Sequence, residues 1–254
     1  MRSIQRNGAP SSVLGRAVSV LQAFQPSDAM LTLAELTRRT GMPKTTVHRL
    51  LAELERCNLV ERTDHGVRLG LRLFELGQLV PRQRGLRESA MPFLNDLYEA
   101  THETVHLAVL EEREVVYIAK IAGRSGPPVP SRVGGRMPAY CTGVGKALLA
   151  YAPVETVRRV LDGPLARRTP YTVVMPGRLE RELATVRERG LAFENEESSL
   201  GIACVACPVF DGPGHAAAAV SITGWVNRLD PTRVASAVRT AALGISRQLE
   251  AILR

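Results

Sequence analysis

The chain has 254 residues, and its 33 Lys and Arg against 25 Asp and Glu give a formal net charge of +8. A hydrophobic content of 45% is ordinary for a globular protein and excludes a wholly disordered chain. Every apolar run is shorter than the roughly 18 residues of a membrane-spanning helix, so no membrane partner is expected. The N-terminal residues show no signal-peptide pattern, and four cysteines are too few for a disulfide framework, so we expect a cytoplasmic protein.

The basic residues are denser at the N-terminus. Residues 1–80 carry 11 Lys and Arg against 7 Asp and Glu, and residues 81–254 carry 22 against 18, so each part has a net charge of +4. The same excess is therefore confined to less than half the length in the first part. Such a region favours a polyanionic partner.

The N-terminal region begins with an arm and an amphipathic helix. Residues 1–12 combine turn residues with few apolar ones and are predicted to form a flexible arm. Apolar residues then recur at helical spacing from Leu14 to Phe24. We therefore expect the first packed element to begin near residue 13.

Two further helices are predicted on either side of a tight turn. Thr32 with Glu35 three positions later is the pattern of a capping box, which satisfies backbone N–H groups at a helix start. Gly41 is a natural stop for that helix, and Pro43 suits the first position of the next. The second of these helices has a buried stripe formed by Val47, Leu50, Leu51 and Leu54.

The exposed face of that helix is basic in its first two turns. Lys44 with His48, and Thr45 with Arg49, are pairs spaced four residues apart, which places each pair on one face. Such groups donate hydrogen bonds to phosphates and base edges. Two helices around a glycine turn, the second basic at its start, indicate a helix-turn-helix.

A short basic hairpin is predicted directly after this pair of helices. Residues 59–63 and 67–69 have strand character and flank the turn residues Asp64, His65 and Gly66. A helix-turn-helix followed by a hairpin is a winged helix. The expected DNA contacts are Arg16, Thr32, Lys44, Thr45, Thr46, His48, Arg49, Arg62 and Arg68.

The remainder of the chain mixes helices and strands. Residues 71–76 resume a helical pattern, Pro81 and Gly85 interrupt it, and residues 82–85 are interpreted as a linker. Later segments predict an α+β domain whose strands are mostly antiparallel, with helices at both ends. The expected helices lie at about 87–100, 143–151, 179–190 and after 230, and the expected strands at 105–110, 115–119, 202–210 and 216–223.

A metal-dependent hydrolase is an alternative interpretation. The segment His102-Glu103-Thr104-Val105-His106 matches the H-E-x-x-H pattern of zinc hydrolases. That pattern needs both histidines on one helical face, whereas β-branched residues here lead into a strand. Cys204 and Cys207 resemble half a metal site but lie in an apolar strand without a second pair. We therefore expect no enzyme activity, no cofactor and no metal.

Several segments in order resemble IclR-type transcriptional regulators, over nearly the whole chain. In the N-terminal part these segments are residues 16–18 and the run from Gly41 to Leu51. In the C-terminal part they are residues 137–148, 189–197, 201–204 and 219–224. The resemblance implies an N-terminal winged helix-turn-helix, a linker helix and a C-terminal GAF-like mixed α/β effector domain. The implied boundaries are 1–12 for the arm, 13–70 for the winged helix, 71–86 for the linker and 87–254 for the effector domain.

The resemblance also implies an effector pocket. Its residues, carried over by matching position, are Met137, Gly143, Val144, Glu194, Ile202, Cys204, Ser221 and Thr223. Glu194 departs from those members that have Asp at this position, by one methylene. The residues themselves make such a pocket plausible, because Gly143 and Gly145 at a helix start offer N–H groups to an anion.

The functional expectation is a ligand-responsive regulator of transcription. The resemblance implies dimers or tetramers that bind a roughly palindromic operator, and a small carboxylate or aromatic acid as effector. Repression of a catabolic operon is the expected outcome of DNA binding. A DNA-binding protein with a ligand-free dimerisation domain remains a further alternative.

Overall fold

The computed structural model describes residues 12–124 and 126–252, so most of the predicted arm lies outside the described residues. The chain divides into two compact units, the first ending at Pro81 and the second beginning at Arg82. Ser12, assigned to the arm, instead caps the first helix, because its Oγ accepts a hydrogen bond from the Gly15 N–H at 3.0 Å. None of the helices in the described ranges has the length and apolar character needed to cross a membrane.

Three helices form the body of the first unit: α1 (Val13–Gln22), α2 (Leu33–Thr40) and α3 (Lys44–Arg56). Thr32 caps α2 by accepting from the Glu35 N–H at 3.2 Å, and Gly41 ends it with a left-handed φ of 67°. The three helices pack around a common core that includes Val20, Leu36, Val47, Leu50 and Leu51.

The wing of the first unit consists of β1 (Val60–Thr63) and β2 (Gly66–Leu69), which pair antiparallel. Leu31 forms a further bridge to Val67, with the two backbone N–H···O bonds both 2.8 Å long. A short helix, α4 (Arg72–Gln78), follows the wing. The predicted winged helix is therefore present, and the wing is anchored to the segment that precedes α2.

Residues 82–85 are helical, so the expected interruption at Gly85 is wrong, whereas the helical pattern is interrupted before Pro81 as expected. These residues lie within the 21-residue helix α5 (Pro81–Thr101). Proline is tolerated in the first turn of a helix, where its missing N–H has no partner, and an internal glycine costs only about 1 kcal/mol. Packing of the later turns outweighs that cost, since Ala90 and Leu94 are fully buried.

The second unit is built on a six-stranded sheet in which all neighbouring strands pair antiparallel. The spatial order is β5-β4-β3-β8-β7-β6. The strands are β3 (Thr104–Glu111), β4 (Glu114–Ile121), β5 (Arg136–Pro138), β6 (Ala192–Asn195), β7 (Ile202–Gly212) and β8 (His215–Trp225). The short strands β5 and β6 lie at the two edges and were not predicted.

Helices cover both faces of this sheet. The helices that complete the unit are α6 (Gly143–Leu149), α7 (Val154–Leu161), α8 (Pro176–Arg189) and α9 (Pro231–Ile252), with a 3₁₀ turn at Ala139–Cys141. Helices α5 and α9 pack on one face, around Leu107, Val205 and Ile222. Helices α6, α7 and α8 contribute to a second core on the other face, with Ala108 and Ala206. This second face also carries the polar residues considered next.

Candidate DNA interface and effector cavity

The basic residues expected on α3 share its solvent side. Lys44, Thr45, His48 and Arg49 are exposed and Thr46 is half-buried, while the apolar stripe of the helix is buried. Within the described residues, neither Lys44 nor Arg49 forms an ion pair through its side chain. Their charges are therefore available to an anionic partner.

The start of α3 differs in detail from the prediction. Pro43 is the N-cap residue and not the first helical residue, with a ψ of 140°. Its carbonyl oxygen accepts from the N–H groups of Thr46 and Val47 at 2.9 and 3.1 Å. The fixed φ of proline thus sets the entry into the helix and leaves Lys44 at its first turn.

The arginines of the wing already have acidic partners. Arg62 pairs with Glu55 at 2.8 Å and donates to the His48 carbonyl oxygen at 3.4 Å. Arg68 pairs with Glu61 on the opposite strand at 2.6 Å. A phosphate would compete with a carboxylate for each of these two guanidinium groups.

Two other expected DNA contacts are engaged at helix starts. The Arg16 Nε donates to the Ser12 carbonyl oxygen at 3.4 Å, which is a long hydrogen bond on a half-buried side chain. The Thr32 hydroxyl serves as the cap of α2, although its side chain is exposed. A DNA role for Thr32 would therefore compete with its structural role.

The eight residues expected in the effector pocket line one cavity of the second unit. The cavity has an empty volume of about 340 Å³, but the centre of a water molecule can occupy only about 30 Å³ of it. Seven further residues that were not predicted complete the described lining: His106, Tyr117, Val129, Pro130, Ser131, Thr142 and Ser198. The cavity must therefore widen to admit a ligand larger than a few water molecules.

Strand register explains why residues distant in sequence meet here. Glu194 on β6 lies opposite Cys204 on β7, which lies opposite Thr223 on β8. On the next strand, β3, His106 lies opposite Ser221. Since side chains alternate between the faces of a strand, these five residues all point to the cavity face of the sheet.

The glycines at the start of α6 allow the helix to approach the sheet closely. A Cβ on Gly143 would lie 2.7 Å from the Cys204 sulfur, and one on Gly145 would overlap the Ala139 carbonyl oxygen. The Gly145 N–H donates to the Thr142 hydroxyl at 3.2 Å. That donor is taken by the helix cap, so the expected role of Gly145 in anion binding is not supported.

Glu194 is a buried carboxyl group, with only 3% of its surface exposed. Its Oε1 accepts three hydrogen bonds, from the Glu197 N–H at 2.8 Å, the Ser198 N–H at 2.9 Å and the Ser198 hydroxyl at 3.2 Å. Burial raises the pKa of Glu194 to about 7, and the neighbouring Glu197 adds to the rise, while the bonds from Ser198 and Glu197 oppose it. Glu194 can therefore exchange a proton near neutral pH.

His106 is buried on the same face and is uncharged at neutral pH. Burial lowers the pKa of His106 to about 3, with a smaller contribution from the Lys120 ammonium. Its Nε2 lies 2.7 Å from the Ser131 hydroxyl, and its Nδ1 lies 3.4 Å from the Thr223 hydroxyl. The alternation of side chains along β3 could have predicted this orientation of His106. In the sequence, His106 was considered only as part of a metal pattern.

Ser221 is the cavity residue with an unsatisfied polar atom. Its side chain is 1% exposed, and its Oγ lies near the Cys204 thiol, whose ionised form it favours, but has no partner within hydrogen-bonding geometry among the described residues. A buried hydroxyl without a partner costs about 1–3 kcal/mol, so its presence at a cavity wall favours a polar occupant.

A buried ion cluster lies close to the cavity. The ammonium of Lys146, which is fully buried, contacts the carboxylates of Glu182 and Glu197 and donates to the Phe193 carbonyl oxygen at 3.1 Å. Burial opposes the charge of Lys146, but the two carboxylates outweigh it and raise the pKa of the ammonium. Because the Glu197 N–H also binds Glu194, this cluster holds the loop that positions Glu194.

The geometry does not favour the hydrolase alternative. His102 is exposed with a left-handed φ of 55° beyond the end of α5, whereas His106 is buried in β3. Across residues 12–124 and 126–252, no group of three or more His, Cys, Asp and Glu side chains could hold a metal. Cys204 faces the cavity and Cys207 belongs to the opposite core, so they cannot share a ligand.

These features define a DNA-binding protein with a winged helix and a separate, cavity-bearing α/β unit. Comparison with protein families gives the same result. Residues 13–64 match the IclR helix-turn-helix domain, and residues 78–247 match the family described as bacterial transcriptional regulator IclR C-terminal. The chain belongs to the IclR family of transcriptional regulators, and the expected fold class is confirmed.

Similar proteins of this family align over most of their length. The chain is 32% identical over 240 residues to the HTH-type transcriptional regulator XynR of Escherichia coli (strain K12), covering 92% of this chain and 95% of that one. It is 36% identical over 245 residues to the regulator KdgR of the same organism, covering 94% and 92%. A solved IclR homolog from Microbacterium hydrocarbonoxydans, complexed with 4-hydroxybenzoate, has a TM-score of 0.89, 32% identity and coverage of 94% and 100%.

Proposed function

We propose that the chain is a repressor of a catabolic operon that binds a roughly palindromic operator through α3. The observation that carries the DNA-binding role is the exposed, unpaired basic face formed by Lys44 and Arg49. We propose the nine residues named above as DNA contacts. Those on α3 would bind base edges, and those on the wing would bind phosphates. Because its partner is DNA, the expected site of action is the cytoplasm.

Self-association is the second part of the proposal. A palindromic operator is matched by a two-fold symmetric dimer, and two dimers would form a tetramer. Large apolar side chains exposed on and beside α1 and α4 support such an interface: Val13, Leu14, Val18, Leu71, Phe74, Leu76 and Leu79. Light scattering on the full chain tests this point, and a monomer at all concentrations would contradict it.

The cavity of the second unit is proposed as the effector site. All eight expected residues line it, and the unsatisfied Ser221 hydroxyl and the buried Glu194 offer polar groups to a ligand. The 4-hydroxybenzoate complex of the similar Microbacterium hydrocarbonoxydans protein supports a small aromatic acid as effector. We further propose that the chain acts without cofactor or metal and catalyses no reaction. Residues 13–70 are proposed as the winged helix, residues 71–86 as a linker helix and residues 87–254 as the effector-binding and oligomerisation domain.

The DNA-binding role is tested by two matched arginine variants of α3. Arg49→Ala should weaken binding to a fragment from the promoter region of the adjacent genes by roughly tenfold or more, because a base or phosphate contact is lost. Arg56→Ala is the control, since Arg56 lies at the other end of α3, is paired with Glu53 and is remote from the basic face. Equal effects of the two changes in a gel-shift titration would contradict the assignment.

The effector role is tested by ligand binding and by release from DNA. At about 100 times its dissociation constant, 4-hydroxybenzoate should stabilise the protein by about 2.7 kcal/mol in a thermal unfolding assay. Ser221→Ala should reduce this gain if its hydroxyl binds the ligand, while leaving DNA affinity unchanged. If no aromatic acid stabilises the protein, the alternative of a ligand-free dimerisation domain is favoured.

Effector binding should also change operator affinity. Coupling between two such sites is typically about 1–3 kcal/mol, which corresponds to a change of about 5–150-fold. The proposal predicts that the effector shifts the DNA-binding curve by an amount in this range. Reciprocity gives a check, because operator DNA must change the effector affinity by the same factor.

A further inference from the structure

The cavity lacks a positive charge to neutralise an acidic ligand. Its described lining contains four titratable side chains, those of His106, Tyr117, Glu194 and Cys204, and none from Lys or Arg. His106 is neutral, as described above. A carboxylate that entered the cavity would therefore meet the carboxyl group of Glu194 without a compensating cation.

Two cations lie beside the lining without being part of it. Arg168 donates to the Ser198 carbonyl oxygen at 3.2 Å, and Lys120 donates to the Ser131 carbonyl oxygen at 2.7 Å. The titratable groups nearest Glu194 on the neighbouring elements are Cys204 on β7, Glu197 in the following loop, Lys146 on α6, Cys141 in the 3₁₀ turn, Tyr117 on β4 and His106 on β3. Burial raises the pKa of both thiols to about 12 and also raises the pKa of Tyr117, so these three groups stay neutral. The Lys146 charge is already shared between Glu182 and Glu197.

We propose that a monocarboxylate effector binds this cavity together with one proton, which Glu194 takes up from solvent and then donates as an O–H···O⁻ hydrogen bond to the ligand carboxylate. This inference rests on the proposed effector site. The balance is simple: the ionised Glu194, one proton and the ligand anion give a neutral carboxyl group bonded to a bound anion. The binding step therefore adds no net charge to the buried site, because the charge of the proton cancels that of the ligand.

The local geometry identifies the oxygen that carries the proton. Oε1 of Glu194 already accepts three hydrogen bonds from Glu197 and Ser198, so its lone pairs are occupied. Oε2 is therefore the atom to be protonated and to face the ligand. A hydrogen bond from a carboxyl group to a carboxylate is short and about twice as strong as a neutral one.

The proposal gives a definite pH dependence. Burial places the pKa of Glu194 at about 7, so its proton is largely present at pH 6 and must be taken up at pH 8. Affinity should be flat below about pH 6 and fall towards tenfold per pH unit above pH 7. Carboxylic acids titrate near pH 4 and phenols near pH 10, so a hydroxybenzoate itself contributes little between about pH 6 and 8.

Isothermal titration calorimetry of the full chain with 4-hydroxybenzoate tests the proposal. Titrations in buffers of different ionisation enthalpy should show uptake of about half a proton at pH 7 and about 0.9 at pH 8. Glu194→Gln keeps an oxygen that can accept the three bonds, but it should abolish both the proton uptake and the loss of affinity with pH. His106→Gln is the matched control, because a histidine that stays neutral should not set the slope.

A neutral ligand provides a second control. The amide 4-hydroxybenzamide has the same ring and hydroxyl but no negative charge, so it should bind without proton uptake. Binding of 4-hydroxybenzoate without proton uptake, or a Glu194→Gln variant with an unchanged pH slope, would overturn this inference while leaving the effector site intact. If neither compound binds at any pH from 6 to 8, the proposed effector site is contradicted. The inference that rests on it is then contradicted as well.

Discussion

The exposed basic face of α3 and the cavity of the second unit place charged groups in opposite environments. On α3, Lys44 and Arg49 are exposed and keep their charges in solvent. In the cavity, burial favours the neutral forms of both His106 and Glu194, although one is a base and the other an acid. Low dielectric, and not the sign of the charge, determines the protonation of the cavity residues.

An exposed basic face and a buried polar cavity suit two different kinds of ligand. A solvated cationic face attracts a polyanion over a long range, and its strength depends on salt. A buried polar cavity selects a small ligand by hydrogen bonds, and its strength depends on protonation. The predictions below test each side of this contrast.

The largest effect is expected from the ammonium of Lys146, which is fully buried. Lys146→Met should lower the free energy of unfolding by about 3–5 kcal/mol, because Glu197 is left buried without a cation. Urea unfolding of the full chain measures this loss. Lys120→Met is the control, since Lys120 is partly exposed and donates one bond, to the Ser131 carbonyl oxygen at 2.7 Å. Equal losses in the two variants would show that the buried cluster has no special role.

Close packing of α6 should matter almost as much. Gly145→Ala places a methyl group against the Ala139 carbonyl oxygen and should cost about 3 kcal/mol of unfolding free energy. Gly177→Ala, in α8, has no atom within 4 Å of the added group and should be neutral or slightly stabilising. A neutral Gly145→Ala in the same denaturation assay would contradict the tight contact.

The two cavity groups should give opposite pH dependences of stability. The folded-state pKa of His106 is lowered to about 3, so its contribution to stability is lost as the pH falls below about 6.5. The folded-state pKa of Glu194 is raised to about 7, so its contribution is present below about 4.5 and lost as the pH rises. Between pH 6.5 and 5 each amounts to about 1.5 kcal/mol, with opposite sign.

In the parent chain, the opposite effects of His106 and Glu194 on the pH dependence of stability should largely cancel. Replacing one of the two residues should therefore reveal the effect of the other. From pH 6.5 to 5, His106→Gln should gain about 1.5 kcal/mol of unfolding free energy relative to the parent, and Glu194→Gln should lose a similar amount. Urea unfolding at the two pH values measures both. If the unfolding free energies of the parent and both variants change in parallel with pH, burial does not shift the pKa of either group.

The smallest effect is expected on the wing. Arg68→Ala should weaken binding to all DNA sequences by less than about tenfold and reduce the slope of log affinity against log salt by about one. Glu61→Gln should do the reverse, because it releases Arg68 from its partner at 2.6 Å. Fluorescence anisotropy at several salt concentrations measures both slopes. An unchanged slope for Arg68→Ala would remove it from the phosphate contacts.

Local signals in the sequence were sufficient for the winged helix. Thr32 and Gly41 mark the ends of α2 by hydrogen-bonding and left-handed geometry that depend on only a few neighbouring residues. The same reasoning failed at Gly85, which resembles a break but lies inside α5, whereas Pro81 does mark the start of that helix. The helix is stabilised there by buried residues further along α5, such as Leu94, which lie outside the local pattern.

The cavity could not be assembled from local signals. Its walls come from all six strands, α6 and the adjoining loops, and the antiparallel register brings Glu194, Cys204 and Thr223 into line. The family resemblance supplied those positions but not His106, which was expected in the strand 105–110 and was considered only as part of a metal pattern. The edge strand β6 is only four residues long, so its alternation was too short to detect.

The bridge between Leu31 and Val67 limits where the length of the wing can change. Gly66 has a φ of 147°, and a Cβ there would lie 2.7 Å from the Leu31 carbonyl oxygen, so this position admits no side chain without strain. The tip residues Asp64 and His65 are exposed and have no such constraint. Residues inserted at the tip would therefore lengthen the wing while the pairing of Val67 with Leu31 at its root stays in register.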